Sequence, residues 1–265
     1  MTSVLEQLAS RMRTLHHGME PLILPNAWDV PSARAVERAG AAAVATTSSG
    51  VAEALGYPDG EAIPAEEMLS AVERVAAAVR VPVTADMESG YGLDAADLVA
   101  GLLQAGAVGL NLEDTDRTGL SPSLAAMETA AERIAAVREA ARSAGVPVVI
   151  NARVDVFLRG IGRLEERVEE AIRRGRAYLE AGADCVYPIG LTDAAAIGRI
   201  VTALDAPVNV LLKPGAPPIT ELARLGVRRI SVGGGLAQRA EAHVEELARG
   251  LLSGDGSAFA TLNDR

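Results

Sequence analysis

The chain has one cysteine, Cys185, among 265 residues, which excludes an internal disulfide and points to a reducing compartment. It has one lysine, Lys213, and no cluster of basic residues. With a net charge of −10, binding to nucleic acid or to an acidic membrane is not expected. No apolar run is long enough to span a bilayer, and residues 1–20 lack the apolar core of a secretion signal, so a cytoplasmic protein is expected. Aromatic residues make up 3% of the chain, so the core must be built from Ala, Val and Leu.

What is present is a repeated unit. Val4, Leu5, Leu8, Met12 and Leu15 recur at helical spacing and predict an amphipathic leading helix over 3–17. After it, helical segments end in Ala39-Gly40, Ala105-Gly106, Ala144-Gly145, Ala181-Gly182 and Leu225-Gly226, each a common helix stop. Short apolar runs at 21–27, 41–48, 81–87, 107–113, 146–153, 183–188, 206–211 and 228–232 read as strands. Helices are expected at 65–80, 94–105, 128–144 and 163–181. Eight strands alternating with helices predict an α/β fold, a (β/α)8 TIM-type barrel with an N-terminal helix and a C-terminal helical extension. A doubly wound open sheet is disfavoured, because no Gly-x-Gly-x-x-Gly follows the first strand. Residues 1–265 read as a single barrel domain, with 236–265 as a helical tail. Two connections after strands, Gly50–Pro64 and Asp114–Met127, are longer than the unit needs and read as ligand-holding loops.

Active sites of such barrels form at the carboxyl ends of the strands. The third strand runs into Val81-Pro-Val-Thr-Ala-Asp-Met-Glu-Ser-Gly-Tyr-Gly92. If extended there, Asp86 and Glu88 share one face and repel each other unless a cation sits between them. Asn111 and Glu113 alternate with Leu110 and Leu112. Asn151 and Arg153 alternate with Ile150 and Ala152, and Asn209 lies between Val208 and Val210. Polar residues facing the barrel mouth on several strands at once describe a site rather than a solvated surface. Asp86, Glu88 and Glu113 offer only oxygen, and no strand end carries His16, His17 or His243, so Mg2+ or Mn2+ is favoured over zinc or copper. Arg153 suits a substrate carboxylate or balances the acids. The backbone N–H groups of Ser49-Gly50-Val51 could face an oxyanion, and Trp28 ends the first strand. A metal beside an Arg-bound carboxylate describes a 2-oxo acid held as a chelate and turned into an enolate.

Leu24-Pro-Asn-Ala-Trp-Asp29, Ser49-Gly50, Leu55-Gly-Tyr-Pro-Asp59, Asp86-Met-Glu-Ser-Gly-Tyr-Gly92, Leu112-Glu-Asp114 and Asn151-Ala-Arg-Val-Asp155, in this order, resemble the isocitrate lyase/phosphoenolpyruvate mutase superfamily. The resemblance covers most of the chain. It implies a Mg2+-dependent lyase acting on a small 2-oxo or 2-hydroxy di- or tricarboxylate, such as an oxaloacetate-, malate- or methylisocitrate-like substrate. It also implies Asp86 as the principal metal ligand, with Glu88, Glu113 and Asp59 acting through water. Ser49, Gly50, Val51 and Arg153 would bind carboxylate and oxyanion, and Trp28, Asn111 and Asn209 would line the substrate site. A homo-oligomer, a tetramer or dimer that exchanges a C-terminal helix, is a further implication. Two departures matter. The loop Glu113-Asp-Thr-Asp-Arg-Thr-Gly-Leu-Ser-Pro122 lacks the cysteine of isocitrate-cleaving members and the Lys-Lys-Asn of mutases. Glu88 stands where many relatives carry Asp.

Three alternatives stay open: P–C bond chemistry on a phosphonopyruvate or carboxyphosphonate, with Arg117 meeting the phosphonate; a Schiff-base aldolase using Lys213; and a carboxylate-binding sensor without catalysis.

Overall fold

The short apolar runs become strands, most of them buried on both faces as parallel strands covered by helices are, with Ile23 of the first exposed. The computed structural model describes residues 3–119, 121–160 and 162–259. The strands are β1 (Leu22–Leu24 and Asn26–Ala27, interrupted at Pro25), β2 (Val44–Thr46), β3 (Val83–Asp86), β4 (Gly109–Glu113), β5 (Val149–Arg153), β6 (Cys185–Tyr187), β7 (Asn209–Leu211) and β8 (Arg229–Ser231). They pair in parallel from β1 through β6. A parallel bridge between Val186 and Val208 carries the ring to β7, which pairs with β8, and β8 pairs with β1. The ring is closed and has no free edge, so the predicted (β/α)8 barrel is the fold.

Asn26 locks the seam. Its Nδ2 donates to Thr46 O at 2.8 Å, and its Oδ1 accepts from the N–H groups of Val232 and Gly233, both at 2.9 Å. Replacing it with an apolar residue would take these partners from three backbone groups, one of them buried and two half-buried.

The helices are α1 (Val4–Leu15), α2 (Val30–Arg38), α3 (Ser48–Ala54), α4 (Ala65–Ala77), α5 (Ala95–Gln104), α6 (Met127–Ser143), α7 (Val156–Arg159), α8 (Leu164–Glu180), α9 (Ala194–Leu204), α10 (Ile219–Arg224) and α11 (Gly235–Leu252). The glycines of all five predicted stops adopt the left-handed conformation that ends a helix. Helix α1 closes the end of the barrel where strands begin. Met12 is fully buried beneath it. Arg13 reaches Pro147 O and Asp184, just ahead of β5 and β6.

Three expectations need correction. The Gly50–Pro64 connection does not start as loop, because α3 already begins at Ser48. The Asp114–Met127 connection contains a small antiparallel hairpin, Thr115–Asp116 against Ser123–Leu124. Strand β3 ends at Asp86, so Glu88 is not on it. A tight turn, closed by Gly90 N–H on Met87 O at 2.7 Å, puts Glu88 at φ 45°. The tail carries α11 and a short turn, Ser257–Phe259, and residues 260–265 lie outside the described residues.

Candidate active site

Asp86 ends β3 at the mouth of the barrel. Its N–H donates to Thr46 Oγ1 at 3.0 Å. Its Oδ2 accepts from the Ser48 amide at 3.1 Å and the Ser48 hydroxyl at 2.9 Å, while Oδ1 accepts from Asn111 Nδ2 at 3.2 Å. Ser48 Oγ also lies 3.4 Å from Asp59 Oδ1, tying the loop after α3 to the same point. The Ser48 amide is free to do this because it belongs to the first turn of α3, where N–H groups have no helical partner.

Glu88 is buried next to it. Its Oε1 accepts from Tyr91 OH at 2.8 Å and the Glu61 amide at 3.1 Å, and its Oε2 accepts from Arg117 Nη2 at 2.8 Å. Arg117 Nη2 also donates to Glu113 Oε1 at 2.6 Å, so one guanidinium from the hairpin joins two carboxylates. Glu113 and Arg153 are register partners on β4 and β5. Arg153 Nη1 lies 2.5 Å from Glu113 Oε2, while its Nε and Nη2 hold the two oxygens of Asp155 at 2.6 and 2.8 Å. Asp155 is held by Thr115 Oγ1, and its N–H donates to Asp114 Oδ1 at 2.8 Å. Three non-glycine residues around the cluster, Glu61, Glu88 and Tyr91, have positive φ, and such strain concentrates at functional sites. Glu61 Oε1 holds this turn by accepting from the Ser89 amide and hydroxyl and the Tyr91 amide.

Negative charge is in excess. Asp59, Glu61, Asp86, Glu88, Glu113 and Asp155 share a network whose guanidinium groups on carboxylates are those of Arg117 and Arg153. Burial pushes the Glu88 carboxyl up to about 7, helped by the charge of Asp86 and opposed by the Tyr91 hydroxyl. Burial pushes Glu113 up to about 8 against the pull of Arg153. Glu113 Oε2 is a buried oxygen without an aligned hydrogen-bond donor. An oxygen-only donor set with surplus negative charge fits a hard cation. Among the described residues no three acidic, histidine or cysteine side chains gather closely enough to enclose an ion by themselves.

The expected residues do not all meet at one point. Asp59, Asp86, Glu88, Asn111, Glu113 and Arg153 come together in this network. Asn209 is buried in β7, its Oδ1 accepting from Ser231 Oγ at 3.3 Å and its Nδ2 without a partner among the described residues. Trp28, Ser49, Gly50 and Val51 lie on the α3 side. The Val51 amide is spent on Thr47 O, so the uncommitted amides at the start of α3 are those of Ser49 and Gly50. A Cβ on Gly50 would stand 3.1 Å from Trp28 Cβ and 3.3 Å from Ala237 Cβ, so this glycine also lets α3 approach α11. Lys213 is exposed in the loop after β7. Sequence reasoning missed Ser48, Glu61, Tyr91, Asp155 and Arg229. Tyr91 and Asp155 sat inside motifs already singled out, and Ser48 neighbours one. Nothing local marks Glu61 or Arg229.

The family model for phosphoenolpyruvate phosphomutase matches residues 12–252. The chain belongs to this family. The family lies in the isocitrate lyase/phosphoenolpyruvate mutase superfamily, a group of lyases and mutases that generally use a divalent metal ion. Oxaloacetate decarboxylase of Ectopseudomonas mendocina strain ymp is 32% identical over 190 residues, 68% of this chain and 62% of the relative. A solved structure of a Burkholderia cenocepacia J2315 protein, proposed to be a phosphonomutase, is 41% identical with TM-score 0.86, covering 92% of this chain and 99% of that one. The structure of oxaloacetate acetylhydrolase with its product oxalate is 26% identical with TM-score 0.82, covering 92% of this chain and 86% of that one. No described helix is long and apolar enough to cross a membrane.

Proposed function

We propose that this family member is a Mg2+-dependent carbon–carbon lyase acting on a small 2-oxo or 2-hydroxy di- or tricarboxylate through an enolate. The observation that carries this is the surplus of carboxylates around Asp86, which a cation at the mouth of β3 and β4 would balance. Asp86 would hold Mg2+, or Mn2+ in its place, directly, with Glu88, Glu113 and Asp59 acting through water. Bound there, the ion would supply a Lewis acid for a 2-oxo oxygen.

The chain's own residues would do the rest. Arg153 has two N–H bonds beyond those used on Asp155 and Glu113, enough to share a substrate carboxylate. The Ser49 and Gly50 amides would meet an oxyanion, Asn209 Nδ2 would donate to substrate, and Asn111 and Trp28 would bound the site. The relatives named for oxaloacetate support this substrate class.

The second reading is P–C bond chemistry, favoured by the 41% identical phosphonomutase-like neighbour and by Arg117 lying within the network. A Schiff base at Lys213 has no support from the acidic network, which does not include it. Turnover of oxaloacetate, a methylisocitrate and phosphonopyruvate, each with Mg2+ and with EDTA, separates the readings. Activity that survives EDTA and is trapped by borohydride would overturn the first. We also assign the exposed face of α11, an 18-residue helix with no buried residue, to a second copy of this chain in a cytoplasmic homo-oligomer.

A further inference from the structure

We propose that Arg229 is a positioning residue for Asp86: from the far wall of the barrel it fixes the Asn111 amide so that Asn111 presents an N–H to the carboxylate. The proposal rests on reading Asp86 as the metal-holding carboxylate.

Arg229 begins β8, and its side chain is 1% exposed. It crosses the barrel interior to β4, where Nη2 donates to Asn111 Oδ1 at 3.1 Å. Its Nη1 lies 3.5 Å from His16 Nε2, and among the described residues it has no ion pair. A buried guanidinium without a carboxylate is costly, so it is not the residue that filling a barrel core calls for.

What it does is set direction. A guanidinium can only donate, so the Asn111 atom facing it must be the oxygen. Asn151 Nδ2 donates to that same oxygen at 2.8 Å. The Asn111 nitrogen is therefore turned to Asp86 Oδ1, 3.2 Å away. Asp86, Asn111 and Asn151 occupy one register level on β3, β4 and β5, so the three side chains form a row and Arg229 closes it from behind. If the amide turned over, its oxygen would face the carboxylate and push Asp86 out of place. The same logic runs downward. His16 Nε2 accepts from Arg229, so its Nδ1 carries the proton and donates to Met12 O at 2.8 Å. The buried guanidinium charge also favours an anion at Asp86 through the low-dielectric interior.

The test uses protein labelled with 15N-asparagine, which has five asparagines to resolve. The variants are Arg229→Met, Arg229→Lys, Asn111→Ala and the Met/Ala double. The Asn111 side-chain NH2 pair, assigned by its loss in Asn111→Ala, should be distinct and slow to exchange in the wild type. It should move and exchange fast in Arg229→Met. Mn2+ affinity of the substrate-free protein, followed by electron spin resonance, should fall about tenfold in Arg229→Met and in Asn111→Ala. The double variant should be no weaker than Asn111→Ala, because the effect passes through that residue. An unmoved Asn111 pair in a folded Arg229→Met or Arg229→Lys protein would overturn the proposal, as would additive losses in the double. Wild-type protein that binds no Mn2+ would overturn the metal reading instead, and the amide signal would still decide the link from Arg229 to Asn111. If Arg229→Met does not fold, Arg229→Lys, which lacks the planar fork, gives the same readings.

Discussion

Asp114 should matter more for stability than its distance from solvent suggests. Its side chain is 1% exposed and it serves three partners in two other segments. Oδ1 accepts from the Asp155 amide at 2.8 Å, and Oδ2 accepts from Arg174 Nη1 at 2.9 Å and Tyr178 OH at 2.7 Å. One carboxylate thus ties the end of β4 to the Asp155 turn and to α8. Asp114→Ala leaves Arg174, 7% exposed, with Glu170 at 2.7 Å as its remaining anion. Breaking one side of a buried pair costs roughly 3–5 kcal/mol, and the surviving Glu170 contact places this case near the lower end, about 3 kcal/mol. For a chain of this size that is a fall of about 6–12 °C in Tm. Because Asp155 holds Arg153, kcat/KM should drop by about 10²-fold as the guanidinium loses its support. Calorimetry on Asp114→Ala, Arg174→Met and the double variant checks the reasoning. Removing both charges should recover about 1–3 kcal/mol relative to the sum of the singles. A single variant melting within about 2 °C of the wild type, or strictly additive losses, would refute it.

Three further outcomes are expected. Asp86→Asn should lower kcat/KM by about 10³-fold, about 4 kcal/mol, with Mg2+ affinity falling in parallel while Tm holds. His16, whose ring is held down to about 3 by burial and by Arg229, binds its proton more weakly when folded than the usual 6.5, so acidification from pH 6.5 toward 3 favours the unfolded chain. At pH 4.5 urea unfolding should show wild type having lost about 2.7 kcal/mol through this group, a loss absent from the pH curve of His16→Gln. Val244, 65% exposed on α11, should be covered in the oligomer, so Val244→Asp should reduce the mass seen by light scattering; an unchanged mass would remove this helix from the interface.

The barrel was legible because each strand is a short apolar run and α2, α5, α6, α8 and α10 each end at a glycine in the left-handed conformation. Helix α3 was not, because Ser48-Ser-Gly50 has poor helix propensity and the helix is held by the Asp86 carboxylate and by packing on Trp28. The inward polar residues of β4 and β5, Asn111, Glu113, Asn151 and Arg153, could be read from alternation. Glu88 reached the site for a different reason than spacing suggested: a left-handed turn aims it there, and no strand pattern reports that turn. Arg229 and Glu61 were invisible because their partners, Asn111 and Ser89, are 118 and 28 residues away. Only the closed ring brings the first pair together.

The central claim is a divalent-metal site that stabilises an enolate beside Asp86. Thermal melting with Mg2+ and oxalate, an enolpyruvate mimic, against an EDTA control tests it most directly. Ligand at about 100 times its Kd adds about 2.7 kcal/mol, a rise in Tm of about 5–10 °C. The account predicts that rise only when both Mg2+ and oxalate are present. No shift under any condition would mean that the acids of β3 and β4 do not form a working metal site.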